Sequence, residues 1–276
     1  MTTPAKDKTR NGRSRVLATD LDGTLIPLPD QPEHVEALQS LAHATSQGQW
    51  QLVFSTGRHV ASVLDAIEEH RLPDPAWMIC DVGTTILRQK ENGWQPLPEY
   101  RQYLSQRCGT MPLDQLRDRL TPVEGLELQE EVKQGEFKLS FYAPAEYLAL
   151  YEQAISGLLQ ACDAPYSIVA SVDPFNGDGL IDLLPLGATK ASALAWWAEF
   201  VGLPQQAILF AGDSGNDLAA LTAGYRAVLV GNADRAIAEA AQAAHRQQGW
   251  DQRLYLAENS ATAGVLEGCR WFGWLD

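Results

Sequence analysis

Cysteine is scarce in these 276 residues, and the four present, Cys80, Cys108, Cys162 and Cys269, lie far apart with no CxxC pair. That spacing argues against a zinc ribbon or a disulfide scaffold and fits reduced, mostly buried thiols in a cytoplasmic protein. Positive charge is short as well: 21 lysines and arginines against 35 aspartates and glutamates leave a formal net charge of −14. A general nucleic-acid or membrane surface is disfavoured, because both partners are negative and would be repelled. An anionic small molecule needs only a local positive site. No apolar run approaches the about 18 residues that span a bilayer, and there is no repeat or low-complexity tract. Residues 1–13 are polar and basic with no apolar stretch behind them, which predicts a flexible tail rather than a secretory signal. The five histidines, His34, His43, His59, His70 and His245, show no ligand spacing and are expected at the surface.

What the chain does have is alternation. Strand-like VLATD, WQLVFST and AWMICDVG are separated by helix-like VEALQSLAHATSQG and the stretch from Arg58 to Glu69. Such spacing reads as βαβ units on a parallel sheet, an α/β fold of Rossmann-like type. The pattern then breaks into Pro-rich text with strand-like GLELQEE, EFKLSFYA, YSIVAS and LIDLLP around one helical piece, and resumes with KASALAWWAEFVGL, AILFAGD and YRAVLVGNA. The expected organisation is a core from residues 14–104 and 186–276, with an inserted α+β cap over residues 105–185.

In open parallel sheets the ligand crevice lies at the carboxyl ends of the strands, so chemistry is sought just after each apolar run. Those places carry Asp20 and Asp22, then Thr56, Gly57 and Arg58, then Asp213, Asn216 and Asp217, with Lys190 opening the helix after the insertion. Residues i and i+2 of an extended chain project to one side, so Asp20 and Asp22 can face one point. Their repulsion must be relieved by a shared proton or by a cation. The third acid, Asp213, makes a hard, oxygen-ligated ion such as Mg²⁺ the simpler answer. Mg²⁺ recruits phosphate, whose oxygens need donors: Thr56 and the amides of Gly57 and Arg58 at a helix start supply them, and Lys190 adds charge. Asp217, one helical turn from Asp213, is placed to hold Lys190 or support the metal.

The motifs DLDGT, STGR, a lone lysine and GDSGND, in this order, resemble the haloacid dehalogenase (HAD) superfamily of phosphatases. The insertion between Thr56 and Lys190 resembles its type IIB cap class. Through DVGTTI, EFKLSFY, IDLLPLGATK and NSATAGVLEG the likeness extends to sucrose-phosphate phosphatases, over most of the chain from Arg15 onward. The resemblance implies that Asp20 takes the phosphoryl group while Asp22 protonates the leaving sugar oxygen and then activates water. It further implies Mg²⁺ held by Asp20, the main-chain carbonyl of Asp22 and Asp213, with phosphate on Thr56, Gly57 and Lys190 and support from Asn216 and Asp217. Gln134 and Lys138 fall at its sugar-facing positions. Thr85 and Leu180 stand where these phosphatases usually carry acids. The expected activity is hydrolysis of sucrose 6-phosphate by a monomer. The alternatives are another sugar or glycoside phosphate, of Cof-like or glucosylglycerol-phosphate type, and a phosphatase-like module docking on a sucrose-phosphate synthase.

Overall fold

A computed structural model describes residues 15–109, 111–172 and 176–275; the tail expected over residues 1–13 lies outside them. The chain runs through β1 (Val16–Thr19), α1 (Pro32–Ser46), β2 (Gln51–Ser55), α2 (Val60–His70) and β3 (Trp77–Cys80), then through β4 (Thr85–Lys90), β5 (Gly93–Pro96) and α3 (Pro98–Ser105). Next come α4 (Leu113–Leu120), β6 (Glu127–Leu128), β7 (Leu139–Ala143), α5 (Leu148–Ala161), β8 (Tyr166–Val172) and β9 (Gly179–Pro185). The remainder is α6 (Lys190–Val201), β10 (Ile208–Gly212), α7 (Leu218–Leu221), β11 (Arg226–Leu229), α8 (Arg235–Gln248), β12 (Leu254–Leu256) and α9 (Ala261–Trp271).

Along β1, Val16, Leu17 and Ala18 are all fully buried, as expected of a strand covered on both faces. The period of two sorts them: Leu17 joins Leu52, Phe54, Leu209 and the inner sides of α1 and α9, whereas Val16 and Ala18 join Val53, Phe210 and the inner side of α6. Trp197 of α6 is fully buried, with its ring 5.9 Å from that of Trp77. The resulting sheet is ordered β12-β11-β10-β1-β2-β3-β4-β5. Here the expectation of a parallel sheet needs correction. Strands β12 to β3 are parallel, but β4 pairs antiparallel with both β3 and β5. Only two residues, Glu91 and Asn92, join β4 to β5, and so short a link can connect only antiparallel neighbours. The signal was the Asn92-Gly93 dipeptide, with Gly93 at φ +95°.

A four-stranded antiparallel sheet, β6-β7-β9-β8, forms the second body. Leu139, Phe141, Ile181 and Leu183 point toward α4 and α5 and make a cluster of their own. The alternate residues of the same strands, among them Ser140, Asp182 and Leu184, therefore lie on the opposite face. Leu184 joins the cluster of the large sheet, and β8 comes against the turn at Gly215–Asp217. The polar face of the smaller sheet is turned toward the larger one.

Two histidines expected at the surface are buried. The His34 ring accepts the Leu28 N–H at 3.1 Å, and the His245 ring nitrogens contact the carbonyls of Leu221 and Trp250 at 2.8 and 3.1 Å. A ring whose nitrogens find main-chain partners can be buried at little cost. All four cysteines are free thiols. No helix among the described residues is long and apolar enough to cross a membrane.

Candidate active site

Strand β1 sits between β10 and β2, with Thr19 opposite both Ala211 and Phe54. In-register pairing brings the three strand ends to one edge, which is why residues so far apart in sequence converge. The Asp20 N–H donates to the Ala211 carbonyl at 3.0 Å and so continues the ladder one residue past the strand. Asp20 itself is 4 % exposed; its Oδ1 accepts the Leu21 N–H at 2.8 Å and its Oδ2 lies 2.9 Å from Nζ of Lys190.

Lys190 owes its place to a reciprocal cap. Thr189 Oγ1 accepts the Ser192 N–H at 3.1 Å while Ser192 Oγ accepts the Thr189 N–H at 2.9 Å, so α6 starts at Lys190. The ammonium is fully buried between Asp20 and Asp217, 2.9 Å from each. Burial alone would lower its pKa, but the two carboxylates outweigh that and hold it above the usual lysine range. The other oxygen of Asp217 accepts the N–H groups of Asp213 and Ser214 at 3.2 and 3.3 Å. Asn216 Oδ1 accepts the Ser214 hydroxyl at 3.1 Å, which helps shape this turn.

Asp213 Oδ1 accepts the Thr24 hydroxyl at 2.8 Å. Its approach requires glycine at position 23: Gly23 has φ +67°, and a Cβ there would lie 2.5 Å from Asp213 Oδ2. Asn232 clamps the same loop, donating to the Gly23 carbonyl at 2.9 Å and accepting the Ala261 N–H at 2.8 Å. Neither the Thr24 nor the Asn232 contact was expected; only the threonine of DLDGT hinted at one.

The carboxylates of Asp20, Asp213 and Asp217 offer oxygens within 4.8 Å of one another. Three acids face one ammonium, so ionising all of them leaves negative charge in excess. Burial first, then the charge of Asp217, pushes Asp20 well above the usual carboxylate range despite Lys190; the same two causes bring Asp213 to about 6. Buried, oxygen-rich and over-charged, the set fits a hard divalent cation. Both oxygens of Asp217 and of Asp20 already have partners, whereas Asp213 has only its Oδ1 engaged, by the Thr24 hydroxyl.

Asp22 does not face this cluster with its carboxylate. It forms a two-pronged pair with Arg58, Nη2 to Oδ1 at 2.6 Å and Nε to Oδ2 at 2.8 Å. Thr56 is fully buried; its N–H donates to Ile79, its carbonyl accepts from Val82, and its Oγ1 accepts the Arg58 N–H at 3.2 Å. The helix expected from Arg58 starts at Val60 instead, and the His59 ring accepts the Ser62 N–H at its cap. The space beside Gly57 is open: a Cβ there would come no nearer than 3.9 Å to Val82.

On the smaller sheet Gln134 is already occupied. Its amide donates to the carbonyls of Gln129 and Ser140 at 2.9 and 3.0 Å and accepts the Ser140 N–H at 2.8 Å. Lys138 is 5 % exposed and pairs with Asp81 at 3.4 Å.

A family model described as sucrose-6F-phosphate phosphohydrolase matches residues 13–273. A protein of Nitrosococcus oceani described as HAD-like hydrolase is 37% identical over 269 residues, 93% of this chain and 71% of its own length. The mannosylfructose-phosphate phosphatase of Agrobacterium fabrum is 31% identical over 263 residues, 94% of this chain and 97% of its own. Among solved structures, the sucrose-phosphatase of Synechocystis, in complex with sucrose and phosphate, aligns with a TM-score of 0.77 at 24% identity, covering 96% of this chain and 100% of that one. At that identity the likeness speaks for the fold.

Proposed function

This chain belongs to the sucrose-6F-phosphate phosphohydrolase family, and on that premise we propose that it hydrolyses a phosphorylated disaccharide, sucrose 6-phosphate foremost, through an aspartyl-phosphate on Asp20. It is a sugar-phosphate phosphatase. The observation that carries it is the buried Lys190 ammonium clamped between Asp20 and Asp217 at 2.9 Å from each. A carboxylate whose one oxygen rests on an ammonium and whose other accepts a main-chain N–H is aimed, and aim is the first requirement of an attacking group.

In the proposed reaction an Asp20 oxygen bonds to phosphorus as the phosphorus–oxygen bond to the sugar breaks. Asp22, protonated from solvent on leaving Arg58, gives that proton to the departing sugar oxygen. As a carboxylate it then takes a proton from water, whose oxygen attacks phosphorus; the bond from phosphorus to Asp20 breaks, and phosphate and the Asp20 carboxylate are released. To do so the Asp22 carboxyl must leave the Arg58 guanidinium that holds it here at 2.6 and 2.8 Å. Lys190 neutralises charge on the phosphoryl oxygens, and Thr56 with the amide of Gly57 donates to them, joined by the Arg58 amide once it leaves the Thr56 Oγ1 that it holds at 3.2 Å. Asp213, Asp20 and the carbonyl of Asp22 would hold Mg²⁺, which supplies further positive charge when bound. Asn216 and Asp217 keep the turn and the lysine in place. Uncatalysed monoester hydrolysis calls for up to ~10²¹-fold acceleration, whereas one acid–base group gives ~10²–10⁴-fold, so covalent attack and charge stabilisation must carry the larger share.

One observation favours a second sugar: the likeness to mannosylfructose-phosphate phosphatase spans 97% of that enzyme's length. Phosphate release from sucrose 6-phosphate, mannosylfructose phosphate and hexose monophosphates, each with and without Mg²⁺, separates the readings. We expect a disaccharide phosphate to be turned over fastest and only with the metal. Equal rates on hexose monophosphates would sink the disaccharide assignment. The free thiols support a cytoplasmic setting.

A further inference from the structure

Between β3 and β4 the main chain passes through three consecutive residues in the left-handed region: Asp81 at φ +53°, Val82 at +58° and Gly83 at +99°. For the β-branched valine this is an outlier, and such strain persists only where the surroundings over-determine it. Here they do. The Asp81 N–H donates to the Arg58 carbonyl at 2.9 Å and the Val82 N–H to the Thr56 carbonyl at 3.2 Å. The Tyr100 hydroxyl donates to the Gly83 carbonyl at 2.6 Å. A Cβ on Gly83 would lie 2.4 Å from the carbonyl oxygen of Thr189, so this glycine lets the turn press against the start of α6, where Lys190 stands.

The Asp81 side chain looks the other way. It is 7 % exposed; Oδ2 accepts the Thr85 hydroxyl at 3.0 Å, while Oδ1 takes no hydrogen bond among the described residues and lies 3.4 Å from Nζ of Lys138. Lys138 stands at the entrance to β7, in a tight turn closed by reciprocal main-chain bonds with Gly135. A second buried acid, Asp182 on the neighbouring strand β9, also feels the Lys138 charge and is held by the Ser140 hydroxyl. Removing one member of such a buried pair strands its partner in a poor medium for charge.

We propose that Asp81 is a positioning residue that ties the smaller sheet to the phosphate loop. Its carboxylate fixes Lys138, its main chain fixes Arg58, and Val82 beside it fixes Thr56, so that displacement on one side is transmitted to the other. The coupling goes beyond the hydrolytic reading and depends on it only in the kinetic arm of the test.

Amide hydrogen exchange on the full chain, resolved residue by residue, decides the matter. Asp81→Asn keeps the shape and the acceptor for Thr85 but removes the charge facing Lys138. We expect the amides of Gly135 and Lys138, and those at positions 81 and 82, to exchange at least tenfold faster, with the β10 amides within twofold of the unaltered protein. Lys138→Met approaches from the opposite side and stands in if the first variant fails to fold; it should free the amides of Asp81 and Val82 to a similar degree. Loosening confined to the substituted side in either variant overturns the coupling. In the kinetic arm, Asp81→Asn should raise KM for the best sugar phosphate at least tenfold and change kcat less than threefold; a fall in kcat at unchanged KM contradicts a positioning role. If the unaltered protein hydrolyses no sugar phosphate, the hydrolytic reading fails while the exchange result still stands.

Discussion

The two polar regions of this molecule use their side chains in opposite ways. At the edge of the large sheet, Asp20, Asp213 and Lys190 project from the ends of separate elements, and their charged atoms converge on each other with one ammonium among three acids. On the smaller sheet, Gln134 spends its whole amide on main-chain groups, and Lys138 is paired with an acid of the other body. The first arrangement leaves charge unbalanced and ready for a ligand; the second satisfies its groups internally. Residue type alone does not distinguish them. What does is whether the backbone nearby still has unmet hydrogen-bonding needs that a side chain can fill.

Among substitutions, the largest effect is expected at the strand ends. Asp20→Asn should reduce turnover to background, since an amide forms no acyl-phosphate; phosphorylated protein trapped in a single turnover by this variant would overturn the assignment of the attacking group. Asp22→Ala should slow the reaction by roughly 10²–10⁴-fold on sugar phosphates and much less on an aryl phosphate, whose leaving group needs no proton. Equal losses on both would remove Asp22 from proton transfer and leave it as a structural partner of Arg58. The smallest kinetic effect is expected at Gln134. Its replacement by alanine strands the fully buried Ser140 amide and should cost about 1–3 kcal/mol of stability, seen as a lower thermal midpoint with KM unchanged. A raised KM with an unchanged midpoint would return Gln134 to the sugar side and erase the contrast.

The same contrast explains what could be read from the sequence. That Asp20 and Asp213 fall together was legible because strand ends in a parallel sheet are held in register by the ladder, whereas Lys190 is brought there by the cap of α6 and Asp217 by the turn after β10. The Arg58–Asp22 pair was not legible, since a long side chain reaching across 36 positions obeys no period. Asn232, clamping the loop 209 positions away through a carbonyl, left no pattern either. The antiparallel edge at β4 and β5 is marked in the sequence only by Asn92-Gly93, a local signal that the βα alternation around it outweighs. His34 and His245 show the opposite limit: burial of a polar ring depends on main-chain partners that only the folded chain supplies.

Strand β1 leads directly into Asp20, yet one of its two neighbours, β10, arrives some 190 positions later. Contacts of such long range form slowly and late, because loop-closure entropy must be met before they reward the chain. The early segments alone therefore place no lysine beside Asp20 and no third acid near it; on the proposed mechanism the site is complete only once residues 190–217 have been made and docked against the end of β1.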